Sequence, residues 1–268
     1  MKEISAILAT SHVDLHNEQL TLGALKSMVR QIQREYIPMQ VQHDPRIPPI
    51  GRIASARLKH LGNGSYAVEG KIELFELGDE GERVQGGREL KLRRPHSELE
   101  VVYDRSFLTD EDQAILTEIG ELLGSRPQEE AKKALEPVSV LTLAGLFTLG
   151  QIAKGFLGKL GADACEAVKL KVTALFERRR RGKNEAVLLF RAFVKQAGAA
   201  IQVEVFVTNP SGRDVEDLLG PILGQLDRIL PSYFQPEAGV RRLVFELSAS
   251  RLEFRFGVDK RCLPLAVR

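Results

Sequence analysis

A change in hydrophobic period near Thr109 constrains the fold of this chain more than any other feature of its 268 residues. Before Thr109, apolar and polar residues mostly alternate with a period of two, which is typical of strands with one buried face. After it, apolar residues recur at every third or fourth position, which is typical of amphipathic helices. The sequence therefore predicts an α+β fold with at least two parts.

Residues 1–108 are predicted to form one domain of mostly antiparallel strands with one early helix. Residues 4–9 form a short apolar run, and the helix follows Thr21 and closes before Pro38. Gly62-Asn63-Gly64 is a strong turn signal between two alternating segments, so a hairpin is expected there. Residues 90–107 return to strand character.

Residues 109–182 are predicted to form a helical segment, with helices over 109–124 and 163–176. Residues 138–157 are the most apolar window of the chain, and they are predicted as a buried helix. The alternative is a helix that faces a membrane or forms an oligomer. Its uninterrupted apolar part, residues 138–149, is shorter than the roughly 20 apolar residues of a membrane span, and Lys154 interrupts the remainder, so membrane contact is not favoured.

The basic run from Arg178 to Arg181 lies at the end of the last of these helices. Cations are favoured at a helix C-terminus by the helix dipole, so a solvated helix end is the first interpretation. Contact with phosphate or with an anionic lipid surface is the alternative.

Residues 183–268 are predicted to form a small ββαββ domain. Strands are expected over 187–194, 201–208, 243–247 and 252–258, with a helix from Ser211 to Leu230 that Gly220-Pro221 should kink. This segment contains no histidine, and its acidic residues are expected to alternate outward on the strands or to lie on the polar face of the helix. It is interpreted as a structural or interaction module.

Charge and cysteine content limit the classes of partner and compartment. Lys and Arg number 38 against 36 Asp and Glu, so no strongly basic domain is present and no nucleic-acid partner is expected. Cys165 and Cys262 are too few for a disulfide framework and have no metal-ligand spacing. With no visible signal peptide, the prediction is a cytoplasmic protein without cofactor or metal. His12 and His16 are four apart, but they lie in a predicted loop.

The histidines all lie in the N-terminal region, and the sequence around His43 carries a resemblance to a known family. An opening strand, a helix and a strand that reaches His43-Asp44 are followed by Pro49-Ile50-Gly51 and a long hairpin. This order resembles the phage prohead (capsid maturation) serine proteases over residues 1–108. The resemblance implies an assemblin-like antiparallel β-barrel with flanking helix.

The resemblance also implies site residues and an activity. His43 matches the general base, Ser97 matches the nucleophile with Ser106 as the fallback, and Asp104 is a candidate third member. The implied function is a serine endopeptidase that acts on protein substrates. The alternative is a catalytically inactive protease-fold assembly or effector protein, phage-derived or defence-related. Such a protein would bind a protein partner, form a homo-oligomer or contact a membrane through the apolar helix.

Overall fold

The structure is a computed structural model, and it divides the chain into two compact units. Unit 1 comprises Met1–Lys91 and Val258–Ala266, and unit 2 comprises Leu92–Gly257. This division falls before the predicted boundary at residue 108, and the predicted boundary at residue 182 lies inside unit 2. The structure describes residues 2–13, 19–41, 44–76, 88–130, 138–180, 185–196, 199–233 and 239–265.

Unit 1 contains one helix and a four-stranded sheet, with a short strand from its C-terminal segment. The elements in chain order are β1 (Lys2–Thr10), α1 (Leu22–Arg34), β2 (Ile37–Met39), β3 (Gly51–Gly62) and β4 (Ser65–Leu74), and the C-terminal segment adds β12 (Pro264–Leu265). The four-stranded sheet has the order β1-β4-β3-β2, and its neighbouring strands are antiparallel.

Helix α1 forms where the sequence predicts it. The Thr21 hydroxyl accepts a hydrogen bond from the Ala24 backbone N–H at 3.1 Å, which satisfies one of the free donors of the first turn. Leu25 and Ile32 are fully buried and pack with Val68 of β4. One face of the helix therefore covers the sheet, as its apolar spacing indicates.

The predicted hairpin is also confirmed, because β3 and β4 pair across Asn63 and Gly64, which both have positive φ. The predicted closed barrel is not observed among the described residues. Strands β1 to β4 form an open sheet, since the strand expected to complete the barrel, residues 97–103, instead contributes β5 (Leu99–Tyr103) to the sheet of unit 2.

Unit 2 packs helices against a larger sheet. After β5 come α2 (Asp110–Leu123), β6 (Gln128–Glu129), β7 (Val138–Thr148), α3 (Ile152–Leu160), α4 (Ala162–Arg179), β8 (Glu185–Gln196), β9 (Ala199–Thr208), α5 (Gly212–Leu218), α6 (Pro221–Tyr233), β10 (Val240–Ser248) and β11 (Arg251–Asp259). The strands of this unit lie in the order β11-β10-β9-β8-β7-β5-β6. Strand pairing is parallel between β7 and β8 and between β9 and β10, and antiparallel between β8 and β9.

The apolar window predicted as one helix is mainly a strand, and this prediction was wrong. Strand β7 covers residues 138–148, and only the end of the window enters α3. The strand is hydrogen-bonded to β5 on one side and to β8 on the other, and residues 139–145 are buried. A strand buried on both faces is a continuous apolar run, so its hydrophobic period does not distinguish it from a buried helix.

The other predicted helices are confirmed. The Thr109 hydroxyl accepts from the Asp112 backbone N–H at 3.2 Å at the start of α2, and Gly124 closes that helix with a left-handed φ of 65°. Residues 211–230 contain two helices, α5 and α6, because the chain turns at Gly220-Pro221. The predicted ββαββ order is therefore observed with a divided helical connection.

Candidate functional site

His43 lies outside the described residues, but the loop that follows it is well fixed. The Asp44 carboxylate accepts hydrogen bonds from the Arg46 backbone N–H at 2.9 Å and from the Arg46 guanidinium at 2.7 Å. The Asp44 backbone N–H donates to the Val41 carbonyl at 3.1 Å. Asp44 therefore holds the turn next to His43.

The Pro49-Ile50-Gly51 segment is fixed between two strands of unit 1. The Ile50 N–H donates to the Met39 carbonyl, and the Ile50 carbonyl accepts from the Phe75 N–H, each at 2.9 Å. A Cβ atom at Gly51 would lie 2.5 Å from the Glu73 carbonyl oxygen of β4, so only glycine permits this approach. The segment on which the family resemblance rests thus has a structural role in joining β2, β3 and β4.

Ser97 lies in unit 2, just before β5. Its hydroxyl donates to the Leu99 carbonyl at 2.5 Å, which closes a local turn. The preceding residue, His96, donates its backbone N–H to the Glu100 carboxylate at 2.8 Å. Among the described residues, the Ser97 hydroxyl is hydrogen-bonded to no histidine.

Ser106 and Asp104 are brought together in a short 3-10 turn over Arg105–Phe107. The Asp104 carboxylate accepts from the Ser106 backbone N–H at 3.0 Å and from the Ser106 hydroxyl. Its other oxygen accepts from the Val140 N–H of β7 at 2.6 Å. Asp104 therefore caps the turn and joins it to the sheet, which is the ordinary task of a buried aspartate at such a position.

The cluster that sequence reasoning missed is a buried carboxylate on the sheet of unit 2. Glu204 of β9 accepts from Arg191 Nε of β8 at 2.7 Å and from Arg242 Nε of β10 at 2.6 Å. Gln202 Nε2 also donates to Glu204, at 2.8 Å. We call these four residues the buried charge cluster.

The buried charge cluster corrects the prediction that the acidic residues of this segment alternate outward. The Glu204 side chain is only 1% exposed, because the face of β9 that alternation assigned to solvent is also covered. Gln202 and Glu204 are the only polar residues between Ile201 and Val207, and this interruption of an otherwise apolar strand was the available signal.

Electrostatics keep the buried charge cluster ionised. Burial alone would raise the pKa of Glu204, but the charges and hydrogen bonds of Arg242 and Arg191 outweigh it, so this pKa lies below its ordinary value. Burial lowers the pKa of Arg191, and the charge of Glu204 more than offsets this, leaving the pKa raised. All the acceptor positions are satisfied by fixed donors, so the arrangement stabilises structure and offers no free acid or base.

Two arginines of the basic run at the end of α4 are paired with carboxylates. Arg178 pairs with Glu111, and Arg179 Nη2 donates to the Asp112 carboxylate at 2.5 Å, both on the first turn of α2. Arg180 donates to the Asn209 carbonyl at 3.2 Å. Two of the four guanidinium groups therefore hold α4 against α2, which neither sequence-based interpretation anticipated.

The described residues show neither a metal site nor a membrane-spanning helix. No group of three or more His, Cys, Asp or Glu side chains there is arranged to hold a metal ion. His12 is described and His16 is not. Within the described residues, no helix has both the length and the apolar character needed to cross a membrane. Comparison with protein-family models, with curated proteins and with solved structures found no match.

Proposed function

We propose that this protein is a non-catalytic assembly protein that self-associates through unit 1. The observation that carries the proposal is the open edge of β1, which no described strand pairs on its outer side. Ile7 of this strand is 49% exposed. An exposed edge strand with an apolar side chain is a template for strand addition, which natural proteins usually cover or interrupt.

A second copy of the same edge is the partner that this geometry suits. Self-pairing of two edge strands joins two four-stranded sheets through an isologous contact, the commonest arrangement of homodimers. Strand β1 is regular until a shift of register between Ile7 and Ala9, so the regular part has the average length of a strand. This route replaces the apolar-helix route, which the strand conformation of residues 138–148 removes.

The hydrogen bonding of the candidate catalytic groups supports the non-catalytic part of the proposal. A serine nucleophile needs a base within hydrogen-bond reach of its hydroxyl. The hydroxyls of Ser97 and Ser106 donate instead to Leu99 and Asp104, within their own turns. Asp104 in turn accepts from the Val140 N–H, so it joins the turn to the sheet.

The molecular mass in solution tests self-association. Light scattering coupled to size exclusion should give a mass above that of one 29.8 kDa chain. Ile7→Lys should shift the protein to the monomer, because a charge on the edge disfavours strand addition. Leu170→Lys is the matched control, since Leu170 is 70% exposed on α4, and it should leave the mass unchanged. A wild-type protein that stays monomeric at every concentration would contradict the proposal.

A second candidate is the serine endopeptidase implied by the resemblance to prohead proteases. It is supported by the fixed loop next to His43, where Asp44 and Pro49-Ile50-Gly51 are held by hydrogen bonds to neighbouring strands. A general base must be held within reach of the proton that it accepts. His43 would take the proton of Ser97, and the substrate would be a protein chain in the cytoplasm.

Labelling with a fluorophosphonate probe separates the two candidates. An active serine peptidase should be labelled in the wild type, labelled much less in His43→Ala, and not labelled in Ser97→Ala. Ser106→Ala is the parallel test of the fallback serine. Labelling that depends on one of these serines and on His43 would replace the assembly proposal by the peptidase. Absence of labelling supports the non-catalytic part of the assembly proposal.

A further inference from the structure

The exposed face of α1 carries three cations at regular spacing. Lys26, Arg30 and Arg34 are each four residues apart, and all three are exposed. They lie on the side of the helix turned away from Leu25 and Ile32, which pack against the sheet. We call these three residues the cationic stripe.

The cationic stripe has no acidic partner within the described part of the chain. No ion pair joins Lys26, Arg30 or Arg34 to a described carboxylate, although exposed cations elsewhere form many such pairs. The carboxylate at the end of α1, Glu35, accepts a hydrogen bond from Gln31 Nε2 at 2.6 Å. The charge of the stripe is therefore not neutralised by its own helix.

This arrangement does not help α1 to fold. Like charges four residues apart on a helix repel each other, and the stripe contains two such pairs. The first turn of α1 contains no acidic residue that would offset them. Only Arg34, in the last turn, is favoured by the helix dipole. A charge pattern that opposes local stability points to a partner outside the chain.

The other side chains of this face indicate the class of partner. The exposed positions from Lys26 to Arg34 include Ser27 and Gln33 and carry no apolar side chain. A helix that lies on a membrane needs an apolar face directed at the lipid, and α1 uses its apolar face against its own sheet. A stable protein interface needs apolar anchors at its centre, which this face lacks.

A phosphate backbone needs only what the stripe provides. Lys and Arg neutralise phosphates, and hydroxyl and amide groups such as those of Ser27 and Gln33 donate further hydrogen bonds to them. From Lys26 to Arg34 the helix rises roughly 12 Å, which matches the axial rise of about three to four nucleotides of one strand. We propose that the cationic stripe of α1 binds the phosphate backbone of a nucleic acid without reading its sequence.

The proposal differs from the expectation drawn from overall charge. The near balance of 38 basic and 36 acidic residues describes the whole chain, whereas binding depends on where the unpaired cations lie. The conspicuous basic run at Arg178 and Arg179 is paired with Glu111 and Asp112. The inconspicuous run on α1 has no carboxylate partner among the described residues.

Fluorescence anisotropy with a labelled oligothymidylate of about 30 nucleotides tests the stripe on the full chain. Three phosphate contacts predict a slope of log K against log salt near −2, which is roughly a 20-fold loss of affinity between about 50 and 200 mM salt. The variant K26Q/R30Q/R34Q should lose most of the binding at low salt and most of the salt dependence. Its circular dichroism should match that of the wild type, because removal of like-charge repulsion does not weaken the helix.

A scattered triple variant, K2Q/K154Q/R251Q, is the matched control, since it makes the same change in net charge at three other exposed cations. It should bind within about twofold of the wild type, as expected if position and not net charge decides. The proposal is overturned if both triple variants bind alike, or if wild-type binding does not depend on salt. Tighter binding to polyglutamate or to phosphatidylserine vesicles than to the oligonucleotide would overturn it in favour of an acidic protein or a membrane. Should the stripe variant not fold, wild-type binding that does not depend on salt would still overturn the proposal.

Discussion

Each unit holds a carboxylate between two cations on its sheet, and the two networks differ in burial. In unit 2, Glu204 is 1% exposed between Arg191 and Arg242. In unit 1, Glu69 accepts from Arg57 and Lys59, whose side chains are 78% and 49% exposed. Hydrogen bonds from these two cations lower the pKa of Glu69, as the two arginines lower that of Glu204.

The difference shows that pairing alone does not determine how much a charged residue contributes to the free energy of unfolding. Water competes for the cations beside Glu69 and solvates them when the pair opens, so an exposed pair contributes little. The arginines beside Glu204 are much less accessible to water, because their side chains are only 14% and 10% exposed. Loss of the Glu204 carboxylate removes the nearest counter-charge of both arginines in a poorly solvated site.

Glu204→Gln should therefore have the largest effect. We expect a loss of about 3–5 kcal/mol in the free energy of unfolding at neutral pH, since one half of a buried ion pair is removed. Urea denaturation followed by circular dichroism measures it.

Replacement of the whole network, R191M/E204L/R242M, is the control for this substitution. It should restore stability to near that of the wild type, because no unpaired charge of the network remains. A triple variant as unstable as Glu204→Gln would show that the loss came from packing and not from charge.

Asp104→Ala should have an intermediate effect, because this carboxylate is buried but bonded to backbone N–H groups and a hydroxyl. Loss of its bonds to the Ser106 and Val140 N–H groups should cost about 1–3 kcal/mol. Asp104→Asn keeps one acceptor oxygen and should lose less. Equal losses from Ala and Asn in urea denaturation would argue against the capping role.

Acidification tests the charge of Glu204 without changing its volume. Its pKa is lowered in the folded state, so its contribution to stability is full above the unfolded value near pH ~4.3 and is lost as the pH falls through the folded value. The stability gap between wild type and Glu204→Gln should therefore narrow in acid. A gap that is constant between neutral and strongly acidic pH in urea denaturation would exclude an ionised Glu204.

Glu69→Gln in unit 1 should have the smallest effect. The melting temperature at physiological salt should not change detectably, because the partner cations Arg57 and Lys59 are solvated. Differential scanning calorimetry at low and high salt provides the comparison. A destabilisation as large as that of Asp104→Ala would mean that exposure does not separate the two networks.

Elements with local signals could be predicted from the sequence. Thr21 and Thr109 cap their helices, and Gly124 closes α2, because capping needs only neighbouring residues. Asn63 and Gly64 turn the hairpin for the same reason. Gly220-Pro221 marks an interruption correctly, although the structure has two helices where one kinked helix was expected.

Predictions that depend on distant partners were less successful. The apolar residues of β7 fit a helix and a doubly buried strand equally well, and the parallel partner β8 begins at Glu185, after two helices. The pairing of His43 with Ser97 rests on a family resemblance and stays a prediction. The structure places Ser97 in unit 2 and describes no position for His43.

The sequence by itself determined where the capped helices α1, α2 and α5 begin, where the hairpin turns and that the fold is α+β, since these follow from contacts within a few residues. Only the tertiary structure decided which sheet each strand joins and which charges are buried. Whether a charged residue such as Glu204 or Lys26 meets a partner depends on elements far away in the chain. Glutamate and lysine side chains occur both in buried pairs and on exposed faces, so the residue type alone does not predict the environment. Burial is a property of the assembled sheets, and it determines how much each charged residue contributes to stability.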